Sequence, residues 1–220
     1  MDKMFADLRN DLLFPDFSNC PHENDISLDF YTSTNGFMWT PKHHWCILAE
    51  ITEVSYFVRL RLLVRDRSGA EFPVAFYLED ESLSVDYGSF QKGHTVAILY
   101  PHQHGFLDLT VGIRQEVMSA IKAIPFPLHR LLDLSDKLQA QKALSENTRA
   151  CHTCQKESDT LLKCARCGSS WYCNKACQEI GWKDKGHKDG CRLLKNETLK
   201  QILLFDWKHF KDFVRFPLPA

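Results

Sequence analysis

The sequence has almost no net charge and no long apolar run, and both absences narrow its function. The formal charge is −1, so no overall positive field drives non-specific binding to nucleic acid. Apolar residues never extend without interruption far enough for a membrane span. The N-terminus carries Asp2, Lys3, Asp7 and Arg9 where a secretory signal would be apolar. We therefore expect no membrane association and no signal peptide.

Familiar catalytic motifs are also missing. The sequence contains no Gly-rich phosphate loop, no nucleophile elbow and no H-E-x-x-H. His43-His44 and the pair His102 and His104 lack a set of spaced cysteine or carboxylate partners, so we interpret them as loop and hairpin histidines. These absences predict that the protein is not an enzyme.

Cysteine is scarce outside one short segment. Of the nine cysteines, only Cys20 and Cys46 lie elsewhere. Cysteines grouped as metal-binding pairs fit the reducing cytosol or nucleus better than a disulfide framework. We therefore expect a nuclear or cytoplasmic protein.

The other seven cysteines and one histidine form four closely spaced pairs. The order is C-x2-C-x9-C-x2-C-x5-C-x3-C-x9-H-x3-C, and such thiolate and imidazole pairs suit tetrahedral zinc. Eight ligands fill two four-coordinate sites and leave no position open for a catalytic water. The sequence thus predicts two structural Zn²⁺ ions per chain. The ligands are Cys151, Cys154, Cys164, Cys167, Cys173, Cys177, His187 and Cys191.

The pairs are of two kinds. Cys151–Cys154 and Cys164–Cys167 have the spacing of zinc knuckles, and Gly168 suits the left-handed backbone that often follows such a turn. Cys173–Cys177 and His187–Cys191 have the spacing of residues on one helix face. Two knuckles and two helical pairs can be combined in sequence or interleaved, and the spacing alone leaves this open.

The ligand order resembles the MYND-type zinc finger, with Tyr172 before the fifth cysteine, Gln178 after the sixth and Trp182 beyond. RING and PHD fingers place the histidine in the middle of the order. The resemblance implies cross-bracing, with Cys151, Cys154, Cys173 and Cys177 in site 1 and Cys164, Cys167, His187 and Cys191 in site 2. One departure is a longer stretch between Cys177 and His187 than the family usually has, which bears on the placement of His187.

The resemblance also implies a partner. Members of the MYND family typically bind short proline-containing peptides beside the second site, which gives Gln178 and Trp182 a peptide-binding role. The alternative is that Trp182 packs the small core of the finger. The chain contains proline-rich stretches at 125–128 and 216–219, and we interpret these as chance occurrences. Some family members carry a methyltransferase SET domain, but no Asn-His-Ser-Cys-like cofactor motif occurs here and too little chain remains for that domain.

Upstream of the finger, alternating apolar residues predict five strands. They are expected at about 45–52, 56–65, 72–78, 95–100 and 107–113, with D-R-S-G at 66–69 as a turn and Pro73 marking an edge or a bulge. The spacing is similar to that of an OB-type Greek-key barrel. It also fits other small barrels and sandwiches, so both remain open.

These observations predict an α+β fold. The expected organisation is an irregular arm (1–40), a mostly antiparallel barrel-like domain (41–124), a linker helix (125–150), the finger (151–191) and a C-terminal amphipathic helix (192–220) in which the apolar spacing continues to Val214.

Two functions compete. The first is a zinc-binding adaptor or regulator that binds a protein partner through the finger. The alternative, ranked second, is single-stranded nucleic-acid binding by the barrel, where Arg59, Arg61 and Arg65 share a strand face with Phe57, and Tyr77 is placed opposite. The arginines fit equally a solvated face paired with Glu71 or Asp108.

Overall fold

The computed structural model describes residues 5–33, 35–78, 87–141 and 149–219. Parts of the connection after the third predicted strand and of the linker before the finger, 79–86 and 142–148, lie outside the described residues. The strands are Tyr31–Ser33 (β1), Trp39–Pro41 (β2), Cys46–Tyr56 (β3), Leu60–Arg65 (β4), Glu71–Phe76 (β5), Thr95–Leu99 (β6), His104–Gly105 (β7), Val111–Gln115 (β8), Ile121–Ile124 (β9), Arg149–Ala150 (β10), Glu157–Ser158 (β11), Leu162–Lys163 (β12) and Trp171–Tyr172 (β13). The helices are Leu128–Gln141 (α1), Lys175–Lys183 (α2), His187–Leu193 (α3) and Glu197–Leu204 (α4).

A seven-stranded sheet forms the N-terminal domain, in the order β7-β8-β5-β4-β3-β6-β9. The long strand β3 pairs antiparallel with both β4 and β6, and β5 pairs parallel with β8. The other pairings in the sheet are antiparallel. This connectivity, with one parallel pair joining the third and fifth main strands, is that of an OB-like Greek key. The α+β fold class is therefore confirmed.

Two strand predictions need correction. The stretch 56–65 is not one strand: β3 continues to Tyr56, the chain turns at 57–59, and β4 begins at Leu60. The last predicted strand begins at Val111 rather than Leu107, because Leu107 and Leu109 are fully or almost fully exposed in a turn. In both places the apolar side chains lie in a turn and point to solvent. The alternation of apolar and polar residues extends through the turn, and for this reason the predicted strand bounds are wrong.

Pro73 lies in an interior strand and not at an edge. It is opposite Leu63 in β4, while the parallel ladder to β8 starts one residue later, at Val74. The Cβ of an alanine at Gly112 would lie 2.2 Å from the carbonyl oxygen of Pro73. A proline is tolerated here because the ladder on one side has not yet begun.

The turn at 66–69 is organised by a buried carboxylate. Asp66 accepts hydrogen bonds from the backbone N–H groups of Ser68 (2.9 Å) and Ala70 (3.0 Å), and Gly69 adopts φ +91°. The second oxygen of Asp66 accepts from the N–H of Phe17 at 2.8 Å. This turn therefore also fastens the N-terminal arm to the barrel.

The arm is irregular but well packed. Its regular strands, β1 and β2, form a separate hairpin and do not extend the barrel. Leu8, Leu13 and Phe14 are buried. The arm is thus part of the core, because its apolar side chains cover a face that the barrel leaves open.

The core has two layers because β6 and the first half of β3 are buried on both faces. Ile47, Ile51 and Ile98 point into the barrel. Leu48 and Leu99 point outward into a second core, which the arm, α1, α4 and the C-terminal segment complete. The two faces explain why these strands are nearly continuously apolar.

The C-terminal helix is much shorter than predicted. α4 begins at its N-cap Asn196, whose Oδ1 accepts from the N–H of Leu199 at 2.9 Å, and ends at Leu204. Phe205 is already extended, and 205–219 continue without a helix. Trp207, Phe216 and Leu218 are nevertheless buried. Of the apolar residues in the predicted helical spacing beyond Leu204, Trp207 is buried, but Phe210 and Val214 are only half-buried and Phe213 is exposed. The spacing therefore predicted neither the backbone nor the burial of this segment correctly.

No helix in the described part of the chain has the length and apolar character needed to cross a bilayer.

Candidate metal centre

Both zinc knuckles have the same local geometry. In the first, the N–H of Gln155 donates to the carbonyl of Cys151 at 2.9 Å, and in the second, that of Gly168 donates to the carbonyl of Cys164 at 2.9 Å. Gln155 has φ +60° and Gly168 φ +68°. Gly168 thus has the left-handed backbone predicted for it, and Gln155, for which no such prediction was made, has it after the first C-x2-C pair.

Only one of the two ligand pairs predicted to lie on a helix face lies entirely within a helix. His187 and Cys191 lie one turn apart in α3. Cys173, in contrast, precedes α2, whose N-cap is Asn174. The Oδ1 of Asn174 accepts from the N–H of Cys177 at 3.0 Å. The capping residue between the two cysteines ends the extended segment, so Cys173 comes from the end of a hairpin and Cys177 from the first turn of a helix.

The structure brings the eight predicted ligands together in two groups of four. One group is Cys151, Cys154, Cys173 and Cys177, and the other is Cys164, Cys167, His187 and Cys191; within each, the ligand atoms lie within 4.8 Å of one another. These are the two cross-braced sets that the family resemblance implies. A tetrahedron with metal–sulfur bonds of about 2.3 Å needs sulfurs roughly 3.8 Å apart, so both groups fit zinc.

Individual contacts agree with this fit. The sulfurs of Cys154 and Cys173 are 3.5 Å apart. In the second group the Nε2 of His187 lies 3.3 Å from the sulfur of Cys164 and 3.8 Å from that of Cys167. The Nδ1 of His187 is 3.0 Å from the hydroxyl of Ser170. Ser170 therefore fixes the ring so that Nε2 faces the sulfurs, the usual arrangement of a histidine ligand.

Ionisation of all the thiols within one group depends on a nearby cation. Hydrogen bonding to Cys154, together with burial and nearby thiolate charge, raises the pKa of Cys173 to about 12. Burial and the charges of Cys167 and Cys164 raise the pKa of Cys191 to about 12. Thiolates this close repel one another, so they cannot all ionise without a positive ion between them. A bound Zn²⁺ supplies that charge, and the finger binds two such ions.

Two further ionisation states suit metal binding. Burial opposes ionisation of Cys151, but backbone N–H groups directed at its sulfur outweigh it and lower its pKa to about 6. Burial lowers the pKa of His187 to about 4, which keeps the imidazole neutral. Thiolate and neutral imidazole are the ligand forms of these side chains.

The longer stretch between Cys177 and His187 is absorbed by a turn. α2 ends at Lys183 and α3 begins at His187, with Gly186 at φ +70° as its N-cap. His187 is 4% exposed and lies in the second group, so the extra residues do not displace it.

Sequence reasoning missed Gly181 and Ser170. A Cβ at Gly181 would lie 2.6 Å from the ring of Tyr172 and 2.9 Å from the hydroxyl of Thr153, so α2 depends on a glycine to approach the knuckle. An isolated glycine inside a helical pattern is a recognisable signal for such close packing. Nothing in the sequence distinguishes Ser170 from other serines.

Gln178 and Trp182 both lie on α2. Gln178 is exposed and Trp182 is half-buried, with its ring 5.8 Å from that of His187 and 5.1 Å from the guanidinium of Arg166. Trp182 also packs against the small core of the finger. Their role in peptide binding stays a prediction.

The other histidines and the proline-rich stretches lie elsewhere. His44 contacts Tyr100, with 2.6 Å between Nδ1 and the hydroxyl, and His104 pairs with Glu23 at 2.5 Å. Phe126, Phe216 and Leu218 of the proline-rich stretches are buried in the second core. Those apolar side chains are already engaged within the chain.

Residues 151–191 match the family model of the MYND finger. Two curated relatives are similar to this part of the chain: histone-lysine N-methyltransferase Smyd1 of Mus musculus and SMYD1 of Homo sapiens. Each is 31% identical over 64 residues. The match covers 26% of this chain and only 13% of the length of either relative.

Among solved structures, a chain of the S. pombe Stn1–Ten1 complex is similar with a TM-score of 0.33 and 17% identity, over 58% of this chain and 95% of that chain. S. pombe Pot1pC bound to ssDNA gives a TM-score of 0.29 and 11% identity, over 51% and 96%. A chain of a replication protein A heterotrimer bound to ssDNA gives 0.29 and 10%, over 45% and 70%.

Proposed function

Because residues 151–191 are a MYND finger that binds two zinc ions, we propose that the protein is an adaptor or regulator whose finger binds a proline-containing peptide. The observation that carries this proposal is the placement of Gln178 and Trp182 one turn apart on α2, which puts both side chains on one helix face. Gln178 offers an amide to a peptide backbone, and Trp182 offers an aromatic surface to a proline ring.

The surroundings of Trp182 support a groove beside the second zinc site. Its ring lies close to the imidazole of His187 and the guanidinium of Arg166, and the side chain is only half-buried. Aromatic residues and arginine are enriched at protein interfaces, where a partly exposed, rigid ring provides contact area at little entropic cost.

On this proposal both zinc sites are structural and the protein is not an enzyme. Four protein ligands at each ion leave no coordination position for a water or a substrate. The proposal also places the protein in the nucleus or cytoplasm, where thiol ligands stay reduced.

Peptide arrays test the proposal directly. The zinc-loaded protein is applied to proline-containing peptides and to the same peptides with each proline replaced by alanine. We expect binding to the proline set, and a loss of at least about tenfold in affinity for Trp182→Ala, as for a central interface aromatic. Equal binding to the alanine set would contradict the proposal.

Ile180→Ala is the matched control. Ile180 lies on the same helix and is 44% exposed, but it is two residues from both Gln178 and Trp182 and so points to another side. Its substitution should leave affinity unchanged. If Ile180→Ala weakens binding as much as Trp182→Ala, the loss reflects the helix as a whole and not this face.

A second candidate function is single-stranded nucleic-acid binding by the barrel. The observation that favours it is a cluster of arginines and aromatic rings on the outer face. The guanidinium of Arg59 lies 3.7 Å and that of Arg114 4.7 Å from the ring centroid of Tyr77. Tyr77 in turn stacks on Phe106 at 6.3 Å. Phe57, at the nearby strand end, is 97% exposed, as a base-stacking side chain would be.

Carboxylates weaken this second candidate. Arg61 is paired with Asp108 at 3.2 Å, Arg65 with Glu71 at 2.7 Å and Arg114 with Glu116 at 2.8 Å. These acids partly neutralise the face that would meet phosphates. The finger is therefore the preferred site of function.

Fluorescence anisotropy with a labelled oligothymidylate at increasing salt tests the second candidate. If the barrel binds it, log affinity falls with log salt, and Arg59→Ala reduces the slope by about 0.7, the value for one single-strand phosphate contact. Arg9→Ala, which removes an exposed arginine paired with Asp136, should leave the slope unchanged. Absence of binding at low salt would eliminate this function.

A further inference from the structure

The two zinc sites differ in how far solvent reaches their sulfurs. In site 1, Cys151 is buried, Cys173 and Cys177 are half-buried, and Cys154 is exposed. In site 2, Cys164, His187 and Cys191 are 2%, 4% and 1% exposed, and Cys167 is half-buried. A small dissolved oxidant therefore reaches Cys154 of site 1 directly, whereas no ligand of site 2 is exposed to the same degree.

The ligand types of the two sites also favour oxidation at site 1. Site 1 has four thiolates, whereas site 2 has three thiolates and a neutral imidazole, so site 1 carries one more negative charge. The thiolate is the form of cysteine that attacks oxidants, and exposure decides which thiolate reacts. Charge and access both favour reaction at site 1.

The two sites also differ in the helix that each one anchors. Site 2 includes both ligands of α3, and this helix continues into the second core through Leu193 and Leu194. Site 1 holds the N-terminal end of α2 through Cys177, whose carbonyl accepts from the hydroxyl of Thr153 at 2.5 Å. Loss of site 1 would therefore loosen α2, while α3 and the core keep their contacts.

We propose that site 1 is a reversible oxidation site for hydrogen peroxide, with Cys154 as the reacting thiolate and Cys173 as its disulfide partner. The sulfur of Cys154 attacks the peroxide, a sulfur–oxygen bond forms, and the O–O bond breaks to release hydroxide. The thiolate of Cys173, 3.5 Å away, then attacks the sulfenic sulfur and displaces the second oxygen as hydroxide. Two protons convert the hydroxides to water, and the two sulfurs supply the two electrons that reduce the peroxide.

The disulfide removes two of the four ligands of site 1, so the ion is released. A thiol reductant together with Zn²⁺ restores the site, because disulfide formation is reversible. The consequence for binding rests on the proposed function: α2 carries Gln178 and Trp182, so oxidation lowers the affinity for a proline-containing peptide.

Native mass spectrometry during a hydrogen peroxide titration tests the proposal without any partner. We expect a species with one zinc and one disulfide to accumulate before the second zinc is lost, with peptide mapping placing the disulfide between Cys154 and Cys173. Dithiothreitol and zinc should return the mass to that of the two-zinc protein. Simultaneous loss of both ions, or a first disulfide within site 2, would overturn the proposal.

Two variants sharpen the result. Cys154→His keeps four ligands at site 1 but gives it the donor set of site 2, so zinc loss should become several-fold slower. Cys20→Ser removes a buried thiol that is not a ligand and should leave the rate unchanged. If Cys154→His binds only one zinc, disulfide mapping in the wild type still decides. An unchanged rate in a fully loaded Cys154→His protein would refute the role of Cys154.

The results distinguish a failure of the oxidation proposal from a failure of the proposed peptide-binding function. Zinc loss and disulfide position are read from mass alone, so absence of peptide binding leaves this proposal intact. If the peptide binds and peroxide produces no one-zinc species, the oxidation proposal fails and the binding function stands.

Discussion

At the residue scale, the finger depends on a glycine that is not a ligand. Gly181 faces the ring of Tyr172, which is only 1% exposed and so has little freedom to move aside. Overpacking of this kind typically costs about 1–3 kcal/mol. We therefore expect Gly181→Ala to lower the free energy of unfolding by that amount, measured by chemical denaturation with zinc present.

Gly190→Ala is the control for that prediction. Gly190 lies inside α3, and its added Cβ would meet only a methyl group of Leu134 at 3.5 Å, an ordinary contact. Alanine is favoured over glycine in a helix by roughly 0.5–1 kcal/mol. This variant should be as stable as the wild type or more so. Equal destabilisation by both variants would contradict the role given to Gly181.

A second residue-scale prediction concerns pH. Burial lowers the pKa of His44, against smaller opposing effects of the His209 carbonyl and the Asp206 charge, while His43 lowers it further. Below pH about 6.5 the unfolded chain binds a proton at this position that the folded protein does not. Stability is therefore lost as the pH falls below that value.

The measurement is the denaturation midpoint at about pH 7.5 and about pH 5.5. His44→Asn removes the titrating group but keeps a polar atom near the hydroxyl of Tyr100, so its midpoint should fall less than that of the wild type over this interval. The zinc ligands are the same in both proteins, so any pH dependence that they cause cancels in the comparison. An identical pH dependence would show that burial does not lower the pKa of His44 in the folded protein.

At the element scale, the segment after α4 is structural although it is not helical. Trp207 is 2% exposed, packs on Phe14 at 4.9 Å and donates from Nε1 to the carbonyl of Ile202 at 2.8 Å. Trp207→Ala should reduce the free energy of unfolding by about 3–5 kcal/mol, the usual cost of a buried aromatic. Phe213→Ala, at a position that is 51% exposed, should cost about 1 kcal/mol or less.

The elements also show where sequence reasoning succeeds. The turn at 66–69 contains aspartate, serine and glycine, so it could be predicted. The turn at 57–59 reads Phe-Val-Arg and has none of the residues that favour turns, so the strand was extended through it. In the C-terminal segment, the apolar spacing included the buried Trp207 but also the exposed Phe213, and it carried no information on the backbone conformation.

The zinc sites were more predictable than the fold because metal ligands act locally. A C-x2-C pair forms a knuckle whatever surrounds it, and the eight ligands span a short segment. The approach of Gly181 to Tyr172 and the orientation of His187 by Ser170 depend on the packed structure. Spacing could not decide between sequential and interleaved sites; the family resemblance supplied that choice.

At the scale of the whole molecule, the finger and the barrel share the second core. α3 carries two zinc ligands and also contributes Leu193 and Leu194 to that core, and Asp189 pairs with Arg130 of α1 at 3.3 Å. Zinc binding in structural sites contributes roughly 10–16 kcal/mol of folding free energy. Site 2 should therefore stabilise α1, whereas site 1 should stabilise only the finger.

Hydrogen exchange measured by mass spectrometry tests this coupling. Cys191→Ser should accelerate exchange in α1 as well as in the finger. Cys154→Ser, which affects only site 1, should accelerate exchange in the first knuckle and α2 and leave α1 protected. If α1 exchanges as slowly in Cys191→Ser as in the wild type, the finger is energetically independent of the core; if Cys154→Ser accelerates α1 as much as Cys191→Ser does, the difference between the two sites is refuted.

The central claim is that two interleaved zinc sites build the finger, and Cys173→Ser tests it most directly. The measurement combines native mass spectrometry with cysteine alkylation of the zinc-loaded variant. We predict a single retained zinc, with Cys164, Cys167 and Cys191 protected and Cys151, Cys154 and Cys177 alkylated. Protection of Cys151, Cys154, Cys164 and Cys167 with alkylation of Cys177 and Cys191, as sequential sites would give, would contradict the account.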